Sequence, residues 1–173
     1  SSDDLKNLMN VSDKIAELNF NRFKNWDDPT LSENSRQAVF AFKGDVYSGL
    51  NAETIEEEKF DYLQNSLRII SGYYGILRPF DKILPYRLEM GTKLENENGN
   101  NLYKFWGDKI TDLLNADIED HEFVVNLASD EYFKSLNKNK VNAKIVTPVF
   151  KEFKNGTYKV IAIYLSLIHI SEP

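Results

Sequence analysis

The chain has 173 residues, enough for one domain with its own core, and its 42% hydrophobic content with eleven Phe, nine Tyr and two Trp excludes a disordered polymer. It contains no cysteine, which excludes disulfides, thiol catalysis and cysteine-ligated zinc or iron–sulfur centres within these residues. A formal charge of −6 argues against a uniformly basic surface, so any phosphate contact has to come from a local concentration of cations.

In chain order, Ser2, Asp3 and Asp4 predict the cap of a short helix running to Met9. Ser12-Asp13 predicts a second N-terminus, with Ile15, Leu18 and Phe23 as its buried stripe. Pro29 closes that segment by disfavouring helical geometry at Asp28. Residues 37–42 form a short apolar run that reads as a buried strand, followed by a turn at Lys43-Gly44-Asp45 and another at Gly49. A helix with an acidic start is expected over 53–67, with Phe60, Leu63 and Leu67 facing inward.

Residues 67–72 can end that helix or begin a strand, and a glycine-punctuated connection follows through Gly75 to Pro79. Residues 86–90 alternate as a strand does. Residues 95–101 are a polar loop. A helix is expected over 102–114, burying Leu102, Phe105, Trp106, Ile110 and Leu113, then a strand over 123–127 and a helix over 129–136. Two last strands, 143–153 and 158–164, are joined across Asn155-Gly156, a pair that tolerates positive φ and so favours a hairpin. The fold class is therefore α/β (mixed α+β): a mixed sheet covered by helices, with a C-terminal β-hairpin.

No apolar run reaches the roughly 18 residues of a membrane span, and no basic-then-apolar leader opens the sequence. Together with the missing cysteines this gives a cytoplasmic expectation without membrane contact. Residues 165–173 are what the bases CTGTCTCTTATACACATCTCCGAGCCC encode, a transposase adapter used in sequencing libraries. They are expected to be foreign to the domain, leaving 1–164 as a partial domain with His121 as its one histidine.

Six stretches stand together in order: residues 42–47, 67–91, 86–91 within it, 105–107, 126–134 and 148–150. They include Ser71-Gly72-Tyr73-Tyr74-Gly75, Leu77-Arg78-Pro79, Phe105-Trp106-Gly107 and the run from Asn126 to Lys134. In this order and spacing, over nearly all of 8–164, the chain resembles the YaaA family of peroxide-stress proteins. The resemblance implies a response to hydrogen peroxide that limits iron-dependent damage to DNA. It also implies DNA binding through a helix–hairpin–helix-like element and a basic cleft on an unusual α/β fold. Family members begin with a further strand-bearing segment and continue past Tyr164 into a basic stretch.

On that resemblance, Gly72 and Gly75 are expected to offer backbone N–H groups to a phosphate, with Arg78 adding a charge-assisted contact. A tight turn packed by Tyr73 and Tyr74, with Arg78 held by a carboxylate, fits the same residues. Lys43 at a strand end can meet a phosphate or simply be solvated. Arg87 can face a cleft or pair with Glu89. Asn126, Ser129 and Asp130 open a helix beside Lys134, where an anion or plain capping fits. Lys134, Lys138, Lys140, Lys144, Lys151, Lys154 and Lys159 cluster late, interleaved with Tyr132 and Phe133, as in a stripe that follows a phosphate backbone or as a solvated face.

Enzyme motifs are missing: no G-x-x-x-x-G-K-[ST], no H-E-x-x-H and no G-x-S-x-G. His121 lies in the acidic loop 119–122 and reads as a surface residue. The leading expectation is a DNA-binding stress protein that uses no cofactor and needs no obligate protein partner. The alternative is a DNA- or nucleotide-processing repair enzyme, with Asp45, Glu89 and Asp130 as the acids to watch. Direct iron handling would need a site built from carboxylates.

Overall fold

The computed structural model describes residues 1–118, 121–154 and 156–160. The adapter-like segment 165–173 and the end of the last expected strand lie outside the described residues.

Helix α1 (Ser2–Met9) is capped by Ser1, one residue earlier than expected, in a box that Asp4 closes. Helix α2 (Asp13–Lys24) starts at Ser12, whose Oγ accepts from the Ile15 amide at 3.5 Å. Its buried face differs from the expected one. Ala16 and Asn19 are buried, while Ile15 and Leu18 are exposed. Phe23 does pack against the core. Helix α1 lies along α2, and Trp26 beyond its end stacks on Phe23 and meets Tyr73 with ring centroids 4.6 Å apart.

The run 37–42 is not the expected strand. Strand β1 (Arg36–Gln37) is two residues long, and Ala38–Ala41 form a helical turn, α3. The reason is tertiary. The Ala38 and Val39 amides donate to the carbonyls of Asp81 and Pro79 at 2.8 and 2.9 Å, so the 79–81 loop supplies the acceptors that a strand partner would otherwise provide. Burial of Ala38, Val39, Ala41 and Phe42 is as expected. Helix α4 (Asp45–Leu50) follows and contains Gly49, so the turn falls at Asn51, with φ 46°, rather than at Gly49. The expected helix over 53–67 is divided into 3-10 turns at Ala52–Thr54 and Glu57–Lys59 and helix α5 (Phe60–Ser66).

Strands β2 (Ile69–Ser71) and β3 (Gly75–Leu77) form an antiparallel hairpin, with Ser71 opposite Gly75. Strand β4 (Lys82–Ile83) pairs with β1. Residues 86–90 alternate in burial as predicted, Tyr86, Leu88 and Met90 inside, but join no ladder among the described residues. The helix expected over 102–114 is two helices, α6 (Leu102–Trp106) and α7 (Lys109–Asp117). Gly107 separates them at φ 52° and ψ −123°, a conformation that suits glycine. As a result Leu114, not Leu113, turns inward.

Strand β5 (Phe123–Val125) pairs in parallel with β6 (Lys144–Val146), and helix α8 (Asp130–Phe133) lies between them in sequence. The single strand expected over 143–153 is instead two: β6 goes to β5, and β7 (Lys151–Lys154) forms the expected C-terminal hairpin with β8 (Thr157–Val160) around Gly156, with φ 77°. The mixed α/β class is as expected. Among the described residues, however, the sheet is four separate two-stranded pieces. The core gathers Phe42, Ile69, Tyr86, Met90, Ile110 and Tyr132 from both halves of the chain. No described helix is long and apolar enough to cross a membrane.

Candidate nucleic-acid interface

The hairpin at 71–75 joins two strands, which corrects the expected helix–hairpin–helix-like element at this place. Ser71 is fully buried. Its hydroxyl is hydrogen-bonded to the Tyr86 hydroxyl and accepts from the Tyr74 amide at 2.9 Å. Trp106 Nε1 donates to the Gly72 carbonyl at 3.0 Å. Tyr74 accepts from the Leu84 amide at 2.9 Å, and burial pushes its phenol up to about 12. Gly72 and Gly75 are buried under this cluster. The turn packed by tyrosines is what the structure contains, and its glycines serve close packing rather than a solvent-facing cradle.

The two arginines near the hairpin are engaged. Arg78 donates to Asp117 Oδ1 at 2.6 Å, and Arg68 donates to Oδ2 of the same carboxylate at 2.7 Å. The Arg78 hydrogen bond, with Arg68 assisting, holds the Asp117 carboxyl below the usual carboxylate range. Arg87 is paired with Glu89. Lys43 is exposed between α3 and α4. Asp45 opens α4 and Asp130 opens α8, while Glu89 is held by Arg87, so the three acids serve separate places. Asn126 is buried, its Oδ1 accepting from the Ala128 amide at 3.0 Å. Ser129 occupies the N-cap position of α8 without a side-chain cap bond. Among the described residues no three His or acidic side chains converge as a metal site would require.

Lys134 belongs to a different arrangement. Segments 103–111 and 131–140 are zipped along each other. The Tyr103 hydroxyl donates to the Glu131 carbonyl at 3.0 Å, the Asn137 amide donates to Thr111 Oγ1 at 2.9 Å, and Asn137 Nδ2 donates to Asp108 Oδ1 at 3.0 Å. Along this seam lysine ammoniums stand over aromatic rings: Lys109 over Phe105 at 5.0 Å, Lys134 over Tyr103 at 5.2 Å and Lys138 over Phe133 at 4.8 Å. Lys104 is exposed on the same helix as Tyr103, and Lys140 is bound to Asp108 at 2.6 Å. The Lys140 hydrogen bond lowers the Asp108 carboxyl, and Asp108 in turn raises the Lys140 ammonium. Residues 132–151 hold five lysines and no acidic residue, so the seam is locally cationic in an acidic chain.

Sequence reading placed Lys134, Lys138 and Lys140 together but missed Lys104 and Lys109. The interleaved Tyr103-Lys104-Phe105 was the available signal. A cleft of about 460 Å³ between α2 and the 32–36 loop is also lined by Arg22 and Arg36, with Asn21, Asn25, Asn34 and Glu33. Burial lowers the Arg22 guanidinium.

A family model described as peroxide stress protein YaaA matches residues 1–166. The chain belongs to that family. It is 56% identical over 163 residues to a UPF0246 protein of Aliivibrio fischeri strain MJ11 and 55% identical over 163 residues to one of Shewanella pealeana. A UPF0246 protein of Aliivibrio fischeri strain ES114 is 56% identical over the same length. Each match covers 93% of this chain and 63% of the relative, so the chain spans less than two thirds of the length of the relatives it matches.

Proposed function

We propose that this chain is the DNA-contacting part of a cytoplasmic peroxide-stress protein that limits iron-dependent oxidative damage to DNA. The observation that supports this is the zipped seam with Lys109, Lys134 and Lys138 each set over a ring. The rings hold the ammoniums in place, which reduces the rotamer freedom lost on binding, and the three lysines stay exposed, so that duplex phosphates can replace their counterions. Contacts of this kind position a duplex without reading its sequence.

The test is a salt titration of duplex binding by a full-length family member carrying these residues. Changing Lys109, Lys134 and Lys138 together to Ala should weaken binding alike on unrelated sequences. The slope of log affinity against log salt should fall by roughly 2 to 3, about 0.9 per lost phosphate contact. An unchanged slope and affinity would place the DNA elsewhere on the protein.

A further inference from the structure

We infer that the open face of the β5–β6 pair is covered, in the full-length protein, by the portion of family chains that lies outside the residues matched here. The pair is parallel, with Phe123, Val124 and Val125 opposite Lys144, Ile145 and Val146. Side chains alternate across a strand, so the pair has two faces. One carries Val124 and Ile145, both half-buried, with Ile145 packed on the core. The other carries Phe123 at 52% exposure, Val125 at 55% and Val146 at 39%, and Leu127 continues the β5 alternation at 54%. Lys144 also lies on this face, with its ammonium 5.8 Å from the Phe123 ring centroid.

Parallel sheets are found covered on both faces, and two strands alone are marginal. This pair meets neither condition among the described residues, since β5 and β6 ladder only with each other. A bare face of β-branched and aromatic side chains is a surface built for cover. The relatives' length indicates the occupant. The 163 matched residues are 63% of the Aliivibrio fischeri relative, so roughly 95 of its residues have no counterpart here, enough for several strands of five or six residues with their connections. A segment in the same chain also has an effective concentration in the millimolar range, which a second copy reaches only when concentrated. The seam lysines Lys109, Lys134 and Lys138 lie on other elements, so this cover and the proposed DNA contact are independent.

Thiol labelling reads the face directly. In a cysteine-free version of the full-length Aliivibrio fischeri relative, a cysteine is placed at the position matched to Val125, another at that matched to Val146, and a control at that matched to the exposed Asn139. Maleimide should label the first two on the order of 100-fold more slowly than the control in a protein that light scattering shows to be monomeric. Labelling at the control rate in the monomer overturns the inference. So does protection that vanishes on dilution as a dimer dissociates, which would assign the face to a second copy. Hydrogen exchange on the unsubstituted relative reads the same surface without any substitution: slow exchange over 123–127 and 144–146 is expected, and loop-like exchange there also overturns it.

Discussion

A methyl group at position 72 has nowhere to go. Built on the backbone, its Cβ would stand 2.1 Å from the Leu88 carbonyl oxygen, and a carbonyl in a buried strand-like segment cannot step aside. At Gly75 the added Cβ would meet the Trp106 ring at 2.8 Å, and φ is +80°. At Gly156 φ is +77° but the space is open. The three glycines therefore separate steric closeness from backbone conformation. Gly156→Ala should cost about 1 kcal/mol, the left-handed penalty alone. Gly72→Ala should cost more than about 3 kcal/mol, because overpacking against backbone forces the hairpin off its neighbour. Gly75→Ala should fall between, since an indole can shift. Urea midpoints for the three variants check the order, and a Gly72→Ala variant as stable as Gly156→Ala would contradict the packed turn.

Single elements show how far local sequence reaches. The α2 cap at Ser12, the hairpin at Gly156 and the alternation of Tyr86, Leu88 and Met90 were legible because each follows from residues next to one another. The helical turn Ala38–Ala41 was not, because its first amides are satisfied by Asp81 and Pro79, forty residues away. The break at Gly107 was present in the sequence but outweighed by the apolar spacing on either side. The candidate site divides in the same way: clustered lysines are visible in sequence, whereas the engagement of Arg78 by Asp117 across 39 residues is not. Helix α6 carries a prediction of its own. At five residues it is too short to hold itself, and Asn101 Oδ1 accepts from the Lys104 amide at 2.9 Å. Asn101→Ala should cost about 1 kcal/mol. Because α6 presents Tyr103 beneath Lys134, the variant should also weaken DNA binding. Denaturation and a gel shift on the same protein check both.

At the scale of the whole molecule, Asp117 ties together parts that sequence keeps apart. It ends α7 and takes Arg68, just before β2, and Arg78, just after β3, so one carboxylate fastens both outer ends of the hairpin to a helix from the other half of the chain. Arg68 is the better buried partner and also donates to the carbonyls of Gln64 and Leu67 at 3.0 and 2.7 Å. With the Asp117 carboxyl held below its ordinary value, its ionised form is favoured in the folded state, and the contribution is fully present at neutral pH. It is lost as pH falls below about 4, the ordinary aspartate value, and through the depressed one. Asp117→Asn should therefore cost about 1 kcal/mol at pH 7 for the Arg68 side of the tie, after allowance for solvent screening. The gap between the two proteins should narrow steadily on acidification. Urea unfolding at a series of pH values checks this. A gap that stays constant down through the acid range would mean that shape and neutral hydrogen bonding at position 117, not charge, hold the two halves together.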